Sequence, residues 1–389
     1  MTKRIFKIDE IPIQHKNQAL KMTKPYSAQD FTKHTVLTDG IFTYVSFFFD
    51  THPKSMKYRD DACKKKFGNP NQYNYKFYWK QAETFYYSAK NISVEASPVA
   101  AYYCILNAVK AYLSYKMECV DDFVSNFGQH GLFEEQGDIG ENLGTIGITH
   151  RQSGVFPLFA KILDADFEDK WPYGKSNPKT LKDILYNLAF IHRAYSMTYS
   201  SKNKAVEELF IPFAHGKQPE YHRGSDGKAY LIAELDKDYF SLTATKIPKD
   251  IVDTLPNVFT ICEHNSFALR SVVGARKNQG SISSDIKEAN LHYRKHFHYI
   301  HSASKLWFIK RSELNESGVI NLSSMTLIMS AMHRISEIAR YKPEQLNRLL
   351  QSKENWLLHE FISHALDQFV DEIACEITHQ EIMCTGNKR

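Results

Sequence analysis

The densest group of side chains able to carry protons or hold a metal is HYRKHFHYIH, which sets His292, His296, His298 and His301 beside Arg294 and Lys295. Imidazoles this close bring zinc to mind first. A zinc site draws its ligands as pairs from separate segments, and no acidic residue or cysteine interrupts this run, so a metal is the lesser reading. A basic, aromatic edge that touches phosphates suits the composition better, with Arg294 and Lys295 as contacts.

Two helical patterns align other polar groups. Over 98–115, Tyr103, Leu106, Asn107, Lys110 and Ala111 recur at threes and fours and share one face. A buried amide or ammonium needs a partner. Either Asn107 and Lys110 belong to a site, or, the plainer alternative, Asn107 makes a structural hydrogen bond and Lys110 snorkels to solvent. Over 323–340, His333, Glu337 and Arg340 align with Arg334 one step round. That side is a catalytic or phosphate-binding face, or, more simply, a solvated stripe with an ordinary Glu-to-Arg pair.

Other spacings carry less. Glu376 and His379 have the Glu-x-x-His spacing of a di-iron helix but lack the second copy such a site requires. His359, Glu360 and His364 read as ends of surface stripes. There is no P-loop, no GxGxxG after a strand, no GxSxG and no HExxH, which argues against nucleotide hydrolysis and serine hydrolase chemistry. No metal or cofactor is expected. Cysteines at 63, 104, 119, 262, 375 and 384 form no CxxC pair; free thiols are expected, with Cys104 and Cys375 acting as small apolar groups inside helices.

The elements that position these residues follow from composition and period. With 389 residues, 43% of them apolar, the chain can bury two or three cores. No apolar run approaches the roughly 18 to 20 residues of a membrane helix. The start MTKRIFKIDEIPIQHK lacks the apolar stretch of a secretion signal, so a cytoplasmic protein without membrane association is expected. Lys and Arg exceed Asp and Glu by 49 to 44, too little to mark a dedicated nucleic-acid binder. The clearest basic cluster is Lys64, Lys65 and Lys66, followed by Lys76 and Lys80 among tyrosines. It either stacks bases while neutralising phosphates or, more simply, is a solvated linker entering an amphipathic helix.

Residues 1–72 read as irregular and extended, with IFTYVSFFF at 41–49 as the main extended piece. The region 73–204 reads as helical. It opens with a hairpin of helices at 78–90 and 98–115, Ser97 as N-cap and Pro98 in the first turn. A Gly-rich loop over 126–154 and helices at 157–163 and 180–196 follow. Residues 205–315 form a small antiparallel β-rich insert with strands at 229–235, 240–247, 258–264 and 306–310. Residues 316–389 return to helix, the first capped by Ser323 or Ser324 and ended by Pro343. The expected fold is α+β, predominantly helical, with early and late helices sealing their apolar faces in one bundle.

Three groups of segments resemble a known family. FYWKQAETFYYSAK with PVAAYYCILNAVKAYL, HGL at 130–132 with GVFPL at 154–158, and MSAMHRISEIARYKPEQLNRLL through NWLLHEF and QFVDEIACEI resemble the YaaC-like family of bacterial proteins over about 75 to 380. The hairpin also has a looser likeness to the HEPN superfamily. That likeness implies a helical bundle, a defence or stress role, and metal-independent RNA cleavage by an Arg and a His four to six residues apart across a dimer. In such chemistry the 2′-hydroxyl attacks the adjacent phosphate while His shuttles a proton and Arg stabilises the phosphorane.

Here the pattern departs from HEPN. Arg294 and His301 have six residues between them but fall in the β-rich region, and neither Arg334 nor Arg340 precedes a histidine at the required distance. The expectation is thus a cytoplasmic defence or stress protein, a candidate endoribonuclease, that engages RNA or another phosphate-bearing partner. Its site would lie where Asn107, Lys110, His130, His333, Glu337 and Arg340 converge, with Arg294 and His301 as the alternative pair. The competing class is a non-enzymatic subunit of a multiprotein defence complex; small-molecule sensing is a third, and a homodimer follows only by analogy.

Overall fold

The computed structural model describes residues 8–27, 30–31, 34–54, 61, 64–65, 74–117, 126–134, 142–174, 178–202, 205–241, 243–278, 281–314 and 318–386. The fold is α+β. Its helices in chain order include α1 (Ile41–Thr51), α2 (Tyr75–Lys90), α3 (Ser97–Lys116), α4 (Val155–Leu163), α5 (Leu181–Tyr186), α6 (His192–Tyr199), α7 (Ser284–Arg294), α8 (Ser324–Tyr341), α9 (Pro343–Leu350) and α10 (Asn355–Thr378). Among the described residues no helix is long and apolar enough to cross a membrane.

Two compact units interleave along the chain. One comprises Met1–Asp39, Glu207–Val319 and His379–Arg389, the other Gly40–Val206 and Ile320–Thr378. These boundaries differ from the four linear segments read from the sequence, because short strands near the N-terminus need partners far along the chain.

In the second unit α3 is the central helix. Small residues at Ala101, Ala108 and Ala111 let neighbours approach, and Tyr102, Ile105, Leu106, Val109 and Tyr112 are buried around them, leaving Tyr103, Asn107 and Lys110 as a half-buried stripe. A helix apolar over most of its circumference must be largely enclosed. It packs along α2 as a hairpin and also meets α8 and α10. Asn74 caps α2 by accepting from the amides of Lys76 and Phe77. At α3 the cap residue is Ala96 and Ser97 lies inside the helix, with Pro98 in the first turn. The Ser323 hydroxyl caps α8, and the buried Asp164 carboxylate accepts from the Ser323 amide at 3.1 Å and the Thr326 hydroxyl at 3.0 Å.

Three expectations in this unit are corrected. IFTYVSFFF is helix α1, not an extended piece: Phe42, Val45, Phe48 and Phe49 recur at helical spacing and are all buried, so packing outweighs the β preference of aromatic and β-branched residues. The 126–154 loop contains strands Leu132–Glu134 and Gly147–His150, which join Lys179–Thr180 in an antiparallel sheet. The expected 180–196 helix breaks at Asn187, whose buried side chain turns to the Asp183 carbonyl and the Ile320 amide, leaving α5, a 3-10 turn at Ala189–Ile191 and α6.

The first unit is built on a five-stranded antiparallel sheet in the order Ile8–Pro12, Glu220–Gly224, Ala229–Glu234, Ala268–Ser271, Phe259–Ile261. A three-stranded sheet of Phe297–Ile300, Leu306–Lys310 and Phe210–Pro212 shares its core, in which Tyr221, Leu231, Leu269, Phe297 and Ile309 are buried. Gly227, at φ +79°, makes the SDG turn of the central hairpin. Val36–Leu37 pairs in parallel with Ile382–Met383. The described residues of FSLTATKI do not form the expected strand; Asp236 caps a 3-10 turn at Lys237–Tyr239, the Ser241 and Thr243 hydroxyls bond each other, and Ser241 Oγ accepts from the Thr243 amide, which competes with a ladder.

Candidate functional site

A cleft of about 300 Å³ opens in the helical unit, lined among others by Tyr102, His130, Arg151, His333, Glu337 and Arg340. Of the six residues expected to converge, His130, His333, Glu337 and Arg340 line it. Lys110 stands beside it, half-buried, with Nζ 5.6 Å from the Phe127 ring and 5.7 Å from that of Tyr78. Asn107 is not in the lining: its amide donates to the Tyr103 carbonyl one turn back at 2.7 Å, a bond internal to α3.

His130 is held by a glycine pair. α4 has no side-chain cap, and its first amides, Val155 and Phe156, donate instead to the carbonyls of Gln129 and His130 at 2.9 and 3.0 Å. The crossing is close enough that a Cβ on Gly154 would lie 2.5 Å from the Gly131 Cα, and both glycines have positive φ, +127° and +84°. The segments HGL and GVFPL thus meet backbone to backbone, and the imidazole next to them is fixed in place. Its Nδ1 shares a hydrogen bond of 2.5 Å with the buried Tyr102 hydroxyl. The hydroxyl can donate or accept, so Tyr102 supports either imidazole tautomer.

His333 and Arg334 are not on a solvated stripe; they are 5% and 1% exposed. Besides α3, α8 packs against α4 and strands Leu132–Glu134 and Gly147–His150. The His130 and His333 rings are 5.6 Å apart, and Tyr102 presents its ring to His333 at 4.8 Å. The Glu337 carboxylate stands 3.6 Å from His333 Nδ1 and 3.4 Å from Arg334 Nη1. Arg340 is exposed and hydrogen-bonded to the Tyr103 hydroxyl at 3.1 Å.

Positive side chains outnumber negative ones in and beside the cleft. Burial lowers the His130 pKa below its usual value, and the charges of Lys110 and Arg340 lower it further. Burial, then His130, Arg334 and Arg340, bring His333 down to about 3. Both imidazoles are therefore neutral near pH 7, while Arg151, Arg340 and Glu337 line the cleft, Lys110 stands beside it and Arg334 lies against Glu337. At an effective dielectric of about 20, a unit anion 4 Å from an imidazole is worth about 4 kcal/mol, or about 3 pKa units. A bound phosphate would return one of these rings to the range where protons are exchanged at neutral pH. Among the described residues, no group of three or more His, Cys, Asp or Glu side chains is placed to hold a metal ion.

The alternative residues go elsewhere. Arg294 is fully buried, its guanidinium donating to the carbonyls of Thr23, Lys24 and Phe297 and lying 3.9 Å from the Tyr26 ring centre, so it presents nothing to a phosphate. The histidine run is split: His292 is exposed in the last turn of α7, His298 is buried in a strand with its charged form strongly disfavoured by burial, and His301 is half-buried near Asp39. Lys295 is exposed in the turn between. Lys64 and Lys65 are exposed, Lys66 lies outside the described residues, and Lys76 and Lys80 are paired with Asp50 and Glu83 at 2.6 and 2.5 Å. Glu376 and His379 share no helix, since α10 ends at Thr378 and His379 follows it at φ +55°.

Tyr102, Arg151 and Ser336 belong to the lining but do not stand out in the sequence as chemistry. Tyr102 reads as one of two adjacent tyrosines in an apolar helix, and Arg151 as a residue of a Gly-rich loop. The motif HGL with GVFPL was the available signal, since glycines at both ends of a contact mark a close backbone approach.

A family model described as YaaC-like protein matches residues 39–377, and the chain belongs to that family. No match is found among curated proteins or among solved structures.

Proposed function

We propose that the helical unit is a HEPN-like bundle in a cytoplasmic defence or stress protein, and that its cleft engages the phosphate backbone of RNA and cleaves it without a metal. The observation that carries this reading is the meeting of two neutral imidazoles, His130 and His333, with Arg340 and Arg151 in one cleft. In the proposed reaction His130 Nε2 accepts the proton of the 2′-hydroxyl while its Nδ1–H is held by Tyr102. The 2′-oxygen bonds to phosphorus and the bond to the 5′-oxygen breaks. His333, which takes up a proton from solvent once the bound phosphate has raised its basicity, gives that proton to the leaving 5′-oxygen, so the products are a 2′,3′-cyclic phosphate and a 5′-hydroxyl, and the proton gained by His130 returns to solvent. Arg340 and Arg151 balance the charge of the phosphorane. His130 comes from a different segment than Arg340 here, so the Arg-then-His spacing is not needed for that pair.

The test is incubation of the purified protein with end-labelled RNA and EDTA, beside Arg340→Ala and His130→Ala. Cleavage with chelator present, lost in both variants and leaving cyclic phosphate ends, supports the proposal. Cleavage unchanged in both variants, or none together with no salt-sensitive RNA binding, overturns it. A second reading, a non-enzymatic subunit of a multiprotein defence complex or a homodimer, is favoured by the exposed rings of Phe47, Phe77, Tyr87 and Trp356 on the helical unit.

A further inference from the structure

At the cleft, planar groups contact one another in series. Phe85 stacks on Tyr103 at 5.4 Å with 26° between the rings, and the Arg340 guanidinium lies 5.4 Å from the Tyr103 ring centre and 5.6 Å from that of Tyr341. Phe85 and Tyr103 are half-buried and occupied by their neighbours, but Tyr341, the last member, is 69% exposed and lines the cleft. A large exposed aromatic ring held by a guanidinium at the rim of a cationic cleft is what a nucleobase stacks on, because every base has a π face and the ring is already oriented. The neighbouring Arg340 can contact phosphate while its plane stays against the rings.

We propose that Tyr341 is a base-stacking platform, and that the cleft therefore takes an unpaired nucleotide, with its phosphate toward His130, His333 and Arg340 and its base on Tyr341. A duplex keeps its bases stacked on each other and cannot offer one to this ring, so the ligand class is single-stranded RNA. The proposal rests on the phosphate-binding reading above and adds the recognition of the base.

The probes are a short fluorescent single-stranded RNA, the same strand with an abasic site in each position, and a duplex of equal length, all titrated in EDTA at low salt. The proteins are the full chain, Tyr341→Ala, Tyr341→Phe and Arg340→Ala. The expected result is a loss of about tenfold or more in affinity for the intact strand on Tyr341→Ala, within the range that one base–aromatic stack supplies, and near-full retention in Tyr341→Phe. The abasic strand should bind Tyr341→Ala and the full chain alike, and the duplex should bind more weakly than the intact strand. Equal affinity of Tyr341→Ala and the full chain for the intact strand, with Arg340→Ala still impaired, overturns the stacking platform and leaves the phosphate site standing. Equal binding of strand and duplex does the same. If Arg340→Ala and the full chain bind every probe alike, the phosphate site fails and the platform with it.

Discussion

His333→Gln removes the most strongly perturbed imidazole of the cleft while keeping a polar side chain of similar reach. In the folded protein burial and the neighbouring His130, Arg334 and Arg340 hold the His333 pKa at about 3, against an ordinary value near 6.5 in the unfolded chain. Between these values the unfolded state binds the extra proton. The stabilisation is therefore complete above about pH 6.5 and is lost as pH falls toward 3. Each pH unit within the window is worth about 1.4 kcal/mol, so at pH 4.5 the deficit relative to pH 7.5 is roughly 3 kcal/mol from this residue alone. Burial also depresses His130, His298 and His292, with the same sign, but they are common to both proteins and cancel in the difference. Urea unfolding of the wild type and His333→Gln at about pH 7.5, 5.5 and 4.5 supplies the comparison. The wild type should lose roughly 3 kcal/mol more than the variant across that range. Parallel losses would mean that His333 titrates normally, and the account of a neutral imidazole pressed against arginines would be refuted.

Three further outcomes are expected. Inorganic phosphate should raise the pKa of His130 in a proton NMR titration, because the anion offsets Lys110 and Arg340; an unchanged midpoint at saturating phosphate counts against an anion in this cleft. Gly154→Ala should lower stability by about 3 kcal/mol or more through its Gly-only φ and its 2.5 Å approach to Gly131, and should weaken phosphate binding by displacing His130; a normal melting temperature would contradict the close crossing. Asp164→Ala should cost roughly 2 to 3 kcal/mol by removing the buried acceptor of the Ser323 amide and the Thr326 hydroxyl, read from denaturant midpoints.

What the sequence disclosed depended on whether one period or several surfaces determined a residue's environment. The α2–α3 hairpin was legible because Trp79, Ala82 and Ala89 repeat at helical spacing and Pro98 marks the next start. Helix α1 was not, because its aromatic and β-branched composition points to a strand while its buried positions follow a helix. That His333, Glu337 and Arg340 stand together could be expected from a shared polar face, yet neither the place of His130 beside them nor the burial of His333 and Arg334 follows from that face. On α8 alone that face lies opposite most apolar residues and should be wet. Only its His333 and Arg334 end is dry, because α3, α4 and strands Leu132–Glu134 and Gly147–His150 pack against α8, and nothing within 323–340 encodes those neighbours. Arg294 shows the converse: in a basic run it looks like a phosphate contact, but three carbonyls and an aromatic ring consume its guanidinium.

The arrangement in the cleft is costly for a purely structural purpose. Packing His333 beside Arg334 and within reach of Arg340 denies the imidazole its proton and gains no hydrogen bond strong enough to compensate, since its nearest carboxylate oxygen lies 3.6 Å away and is shared with Arg334. An apolar side chain of similar volume would pack there without that penalty. The glycine crossing at Gly131 and Gly154 likewise spends conformational freedom to place one backbone segment, and the residue it fixes is His130. Both costs fall at the same cleft, and under the proposed function the first would be offset by the arrival of an anion that lets an imidazole take up a proton. Such coupling would make anion affinity rise as pH falls toward the imidazole range, and the glycine motifs HGL and GVFPL would serve it by holding His130 at the cleft.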